Sequence, residues 1–117
     1  MTENLSKIIQ ESLMETKGRD VLHLDVTGLS DVMDYLIIVT GTSNRHVKSL
    51  ANNAIELAKE NDFRPIGVEG METGEWVLVD FGDVVLHVMQ QSTRDFYELE
   101  KLWSARPQIR TQPAEIS

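Results

Sequence analysis

Apolar and polar positions alternate along this chain in rhythms that change from segment to segment, and each rhythm predicts an element. Leu5, Ile8, Ile9 and Leu13 recur at helical spacing, with Thr2 or Asn4 as the expected cap and Gly18 as the expected stop. Val21 to Val26 then alternates strictly, which predicts a strand with Leu22, Leu24 and Val26 on one face and His23 and Asp25 on the other. Thr27 to Asp31 reads as a turn, with a short helical turn beginning at Ser30-Asp31. Tyr35 to Val39 is an almost unbroken apolar run, the pattern of a strand buried on both faces. Gly41 is expected to permit a sharp turn, and Thr42 or Ser43 to cap a helix reaching Lys59. Val47, Leu50, Ala51, Ala54, Ile55 and Ala58 form a single apolar stripe along that helix. This strand–turn–helix unit is expected to supply the central strand and main cover of one core.

Asn61-Asp62 ends the helix, and Phe63 to Glu69 follows as a weaker strand whose Pro65 favours an edge. After a loop from Gly70 to Gly74, Trp76 to Phe81 and Val84 to Met89 flank the dipeptide Gly82-Asp83. A Gly-X loop of that length is the mark of a type II′ hairpin and sets the register, with Phe81 opposite Val84, Val79 opposite Leu86 and Val77 opposite Val88. Those residues make one wholly apolar face. The opposite face mixes Trp76, Leu78, Val85 and Met89 with Asp80 and His87. Ser92 or Thr93 is the expected cap of a last helix bearing Phe96, Leu99 and Trp103 on one stripe. The expected architecture is α/β (α+β): one domain over residues 1–104, a mixed sheet of about five strands with three main helices, and a tail over residues 105–117.

Composition narrows the function. The 117 residues suit a single domain able to bury its own core, and no cysteine is present, which removes disulfides, thiolate metal sites and cysteine nucleophiles. No apolar run approaches the ~20 residues that span a bilayer, and the first residues carry no basic-then-apolar leader, so a cytoplasmic protein is expected. A net charge of −8 disfavours direct contact with nucleic-acid phosphates and favours a basic protein partner.

Few residues invite chemistry. His23, His46 and His87 lack the spacing of metal ligands, and ordinary strand or helix positions account for them. Asp31 and Asp34 flank the start of the Tyr35 strand, where turn and strand-end roles explain them as readily as a metal. Gly41-Thr42-Ser43-Asn44-Arg45 at a helix N-terminus could hold an anion, yet it lacks the lysine and second glycine of a P-loop. The alternative of a nucleotide-binding or nucleotidyl-transferring enzyme would use Gly41 to Arg45 together with Asp31 and Asp34. Asp83 is explained by the hairpin turn, whereas Asp80 has no local explanation. The mixed hairpin face is either covered by a helix or left to dock a partner, with Trp76 as an anchor.

Several segments together carry a resemblance to a known family. They are Asp34-Tyr35 before the apolar strand, Gly41-Thr42-Ser43-Asn44-Arg45 with Val47, Glu69-Gly70, Trp76 to Val88, and Arg94-Asp95-Phe96-Tyr97-Glu98-Leu99-Glu100 with Leu102-Trp103. In this order they resemble the Iojap-like ribosomal silencing factors from Leu5 to about Trp103. The resemblance implies a fold similar to the nucleotidyltransferase architecture without its catalytic carboxylates, no catalytic activity and no cofactor. It further implies binding to the large ribosomal subunit through a basic protein, number fourteen, at the face that meets the small subunit. Subunit joining would thereby be blocked and translation repressed when nutrients run short. Dimers occur in the family, so a homodimer is one expected state, and no membrane or sequence-specific nucleic-acid partner is implied. Set on that resemblance, the expected contact residues are Trp76, Leu78, Asp80, His87 and Met89, flanked by Tyr97, Glu100 and Trp103. Asp80 or Glu100 would pair with a basic side chain.

Overall fold

The computed structural model describes residues 2–97, with side-chain surroundings for residues 4–96. Within them the chain forms, in order, α1 (Thr2–Glu15), β1 (Arg19–Asp25), β2 (Tyr35–Gly41), α2 (Asn44–Glu60), β3 (Gly67–Glu69), β4 (Trp76–Asp80), β5 (Val84–Gln90) and α3 (Gln91–Tyr97). The five strands make one mixed sheet in the order β1-β2-β5-β4-β3. β2 pairs antiparallel with β1 and parallel with β5, so the apolar Tyr35 strand is interior but β5 occupies the centre. A strand that pairs in parallel leaves no local sign of its neighbour, which is why β2 looked central from its composition.

The α2 stripe is buried as the spacing predicts: Val47, Leu50, Ala51, Ala54, Ile55 and Ala58 all face the sheet. Ser43 is the N-cap, its hydroxyl accepting from the His46 N–H at 3.1 Å. Gly41 serves close approach rather than a special turn, since a Cβ there would lie 2.7 Å from the Val47 side chain. At the end of α1 the left-handed residue is Lys17 (φ 62°), with Lys17 N–H on the Met14 carbonyl and Gly18 N–H on the Leu13 carbonyl. Gly18 is therefore the residue after the cap, and its bare Cα lets Val39 and Leu50 pack against it. Asn4 lies inside α1 rather than capping it.

The hairpin has the expected register: Val77 opposite Val88, Val79 opposite Leu86, and the Phe81 N–H on the Val84 carbonyl at 2.9 Å. Gly82 takes φ +98°, as the first position of a II′ turn requires. β3 is the edge strand but begins only at Gly67, and in place of a helical turn Ser30 bridges to Thr27 while Asp31 and Val32 form bends. α3 starts immediately after β5, so Ser92 and Thr93 are inside it. Phe96 is 78% exposed and does not open a buried stripe, while Leu99 and the rest of that expected stripe lie outside the described residues.

Two apolar clusters result, one on each side of the sheet. Under α1 and α2 lie Leu5, Ile9, Leu13, Ile37, Val39, Val77, Val79, Leu86 and Val88 with the α2 stripe. On the other side Leu22, Leu24, Val26, Leu36, Ile38 and Met89 are buried, joined by half-buried Leu29, Met33, Trp76 and Val85. Among the described residues no helix is long and apolar enough to cross a membrane.

Candidate functional site

The second sheet face is organised in rows that cross all five strands. One row reads Leu22, Ile38, His87, Leu78, Glu69, each directly opposite the next. Along it burial falls steadily: Leu22 and Ile38 are buried, His87 and Leu78 half-buried, Glu69 exposed. The apolar half of the face is thus a second core, and its other half, on β4 and β3, opens to solvent.

Trp76 and His87 hold each other at the border. The indole Nε1–H donates to His87 Nδ1 at 3.0 Å, and the rings lie 5.9 Å apart at 45°. Nδ1 must be unprotonated to accept, so His87 is neutral with its proton on Nε2. Burial pushes its pKa down from 6.5 to about 4. Beside them, Glu69, Gly70, Trp76 and Leu78 line an open cleft of about 310 Å³. Gly70 builds one wall: it sits at φ +93°, and a Cβ there would strike the Trp76 carbonyl oxygen at 2.0 Å. Only glycine lets the chain leaving β3 press so closely against β4.

The expected contact residues separate in three ways. Trp76, Leu78, Asp80 and His87 share the face and are all half-buried. Met89 shares it too but is fully buried, because it sits beside Thr40 of β2 in the closed half of the sheet and packs in the second core. It therefore offers no surface, which corrects its place among the contacts. Tyr97 ends α3, and its side chain lies outside the described residues, as do Glu100 and Trp103.

Asp80 has a local role after all, its Oδ1 accepting the Gly82 N–H at 2.8 Å and tightening the hairpin turn. Glu69, by contrast, was not expected at the site. Its signal was the Glu69-Gly70 pair followed by a short edge strand, which places the carboxylate on the Leu78 side of the sheet.

Gly41 to Arg45 and the pair Asp31 and Asp34 do not form one site. The aspartates precede β2 and the glycine ends it, so the length of that strand, roughly 20 Å, divides them. Thr42 N–H is instead bonded to His46 Nδ1 at 2.9 Å, and His46 Nε2 reaches the Thr16 carbonyl at 2.7 Å, tying α1 to α2. Among the described residues no three His, Cys, Asp or Glu side chains are grouped to hold a metal ion. A second residue not expected to matter is Arg94, buried at 7% exposure, whose Nη1 donates to the Asp20 carbonyl (2.7 Å) and to Thr40 Oγ1 (2.8 Å).

Fold and face together define a compact α/β domain with a five-stranded mixed sheet, one face under helices and the other half open. The whole chain, residues 1–117, matches the family model described as ribosomal silencing factor during starvation. The chain belongs to that family. Ribosomal silencing factor RsfS of Chromobacterium violaceum is 45% identical over 104 residues, covering 89% of this chain and 85% of the relative. That of Haemophilus influenzae is 43% identical over 100 residues, covering 86% and 98%. A crystal structure of a Chromobacterium violaceum protein superposes with a TM-score of 0.87 at 42% identity, covering 99% of this chain and 98% of that one. A Bacillus halodurans structure gives 0.79 at 34% identity, covering 86% and 94%.

Proposed function

We propose that this protein silences ribosomes by occupying the intersubunit face of the large subunit, docked on one basic ribosomal protein, number fourteen. The family match over residues 1–117 carries the reading. Bulk at that face excludes the small subunit, so translation falls without any bond being made or broken, and the protein is not an enzyme. The extent of repression follows its concentration relative to Kd, which suits control by abundance when nutrients run short. The place of action is the cytoplasm, as monomer or homodimer, with residues 1–104 as the docking domain and 105–117 as a tail.

The half-open face supports the same reading. Trp76 and Leu78 present apolar surface beside acidic residues, and a chain of net charge −8 is drawn to a basic protein and repelled by bare RNA. Trp76, Leu78, Asp80 and His87, with Tyr97, Glu100 and Trp103 after them, make the contact. The test is sedimentation of the full chain with separated subunits. It is expected to travel with the large one and to lower the yield of joined ribosomes. Trp76→Ala, checked by thermal melting for an intact fold, is expected to lose both effects; wild-type binding by that variant, or by Leu78→Gln, would refute the choice of face. If Trp76→Ala changes the mass in solution before it changes ribosome binding, the face is a dimer contact instead.

A further inference from the structure

We infer that the cleft between β3 and β4 is a receptor for a single basic side chain of the docked protein, with Glu69 as the residue that selects it. This deepens the docking reading and rests on it. The cleft has an apolar floor, Leu78 and Trp76, and an acidic rim, Glu69, brought together by the antiparallel register that sets Glu69 opposite Leu78. Gly70 keeps the rim in place, since its tight approach to the Trp76 backbone fixes how the chain turns after Glu69.

That arrangement matches a lysine or arginine. The aliphatic stem of either residue lies along Leu78 beside Trp76, and the charged end reaches the Glu69 carboxylate. Asp80 is a poorer candidate for the ion pair, because one of its oxygens already serves the Gly82 N–H. Glu69 is exposed, and no hydrogen bond or ion pair holds it among the described residues. Among the described residues its carboxylate therefore gives up no internal bond on pairing. Aspartate at the same position would fall short of the charged end by one methylene.

The experiment measures affinity of the full chain for purified large subunits over a salt series. Glu69→Gln is expected to weaken binding roughly tenfold at low salt and to flatten the salt dependence, because a screened ion pair has been removed. Glu69→Lys is expected to weaken it roughly a hundredfold by placing like charges together, and Glu69→Asp to fall between wild type and Glu69→Gln. The exposed edge position lets each variant fold, and thermal melts verify it. If Glu69→Gln binds with wild-type affinity and salt slope while Trp76→Ala loses binding, the face stands and the receptor assignment falls. If the wild-type chain does not bind large subunits, both fall together.

Discussion

Mild acid is expected to destabilise this protein through His87. The folded-state pKa is about 4 against an ordinary 6.5, because the ring is buried and its Nδ1 must stay free to accept from Trp76. Between those values the unfolded chain binds a proton that the folded chain refuses. Stability therefore rises with pH across this window, is complete above the ordinary value, and is lost as pH falls toward the depressed one. The full effect is about 3 kcal/mol, of which about 2 kcal/mol disappears between about pH 7 and about pH 5. Urea unfolding at a series of pH values reads this directly. His23, whose pKa is also lowered by burial against an opposing pull from Asp25, contributes a slope of the same sign. The informative comparison is accordingly with His87→Gln, which keeps an acceptor for the indole but does not titrate. That variant is expected to lose about 2 kcal/mol less than wild type on the same acidification, His23 cancelling in the difference. Parallel pH profiles for the two proteins would show that His87 is not held neutral by the fold.

Other positions give simpler outcomes. Ser12 is fully buried and its hydroxyl has no hydrogen-bond partner among the described residues, so Ser12→Ala is expected to stabilise the protein by about 1 kcal/mol in thermal or urea unfolding. Gly70→Ala forces a Cβ onto the Trp76 carbonyl at a left-handed φ and is expected to cost about 3 kcal/mol or more, with a fall in Trp fluorescence order around the cleft. Arg94→Ala leaves Thr40 and the Asp20 carbonyl without their charged donor, and is expected to cost about 2–3 kcal/mol in chemical unfolding. Arg94→Lys is expected to recover only part of it, since a point charge does not replace a planar fork.

Local chemistry was what the sequence made legible. The Gly82-Asp83 loop determined a hairpin register that the structure reproduces pair for pair, and the α2 stripe is buried residue for residue. Both signals are contained within a turn or a helical period. Contacts between distant segments left no such mark. The parallel pairing of β2 with β5 moved the centre of the sheet, and with it sealed Met89, whose own hairpin neighbours gave no hint of a cover. Phe96 fits a helical stripe by spacing, yet the direction of α3 leaves it exposed. Asp80 looked unexplained because a side chain bonding the backbone two residues on is invisible to face-counting. Glu69 was passed over because β3 is too short for its alternation to be read.

The sheet is built from two sequence-local pieces, β1–β2 and β3–β4–β5, stitched by the single parallel pairing of β2 to β5. During synthesis the first piece emerges with one side of an apolar strand unsatisfied until its distant mate arrives. The pairing partners lie roughly fifty residues apart, so at ribosomal speed that side waits roughly 3–10 s. The nascent chain thus passes through an interval of stickiness set by topology alone, and the seam that closes it cannot form until β5 has been made.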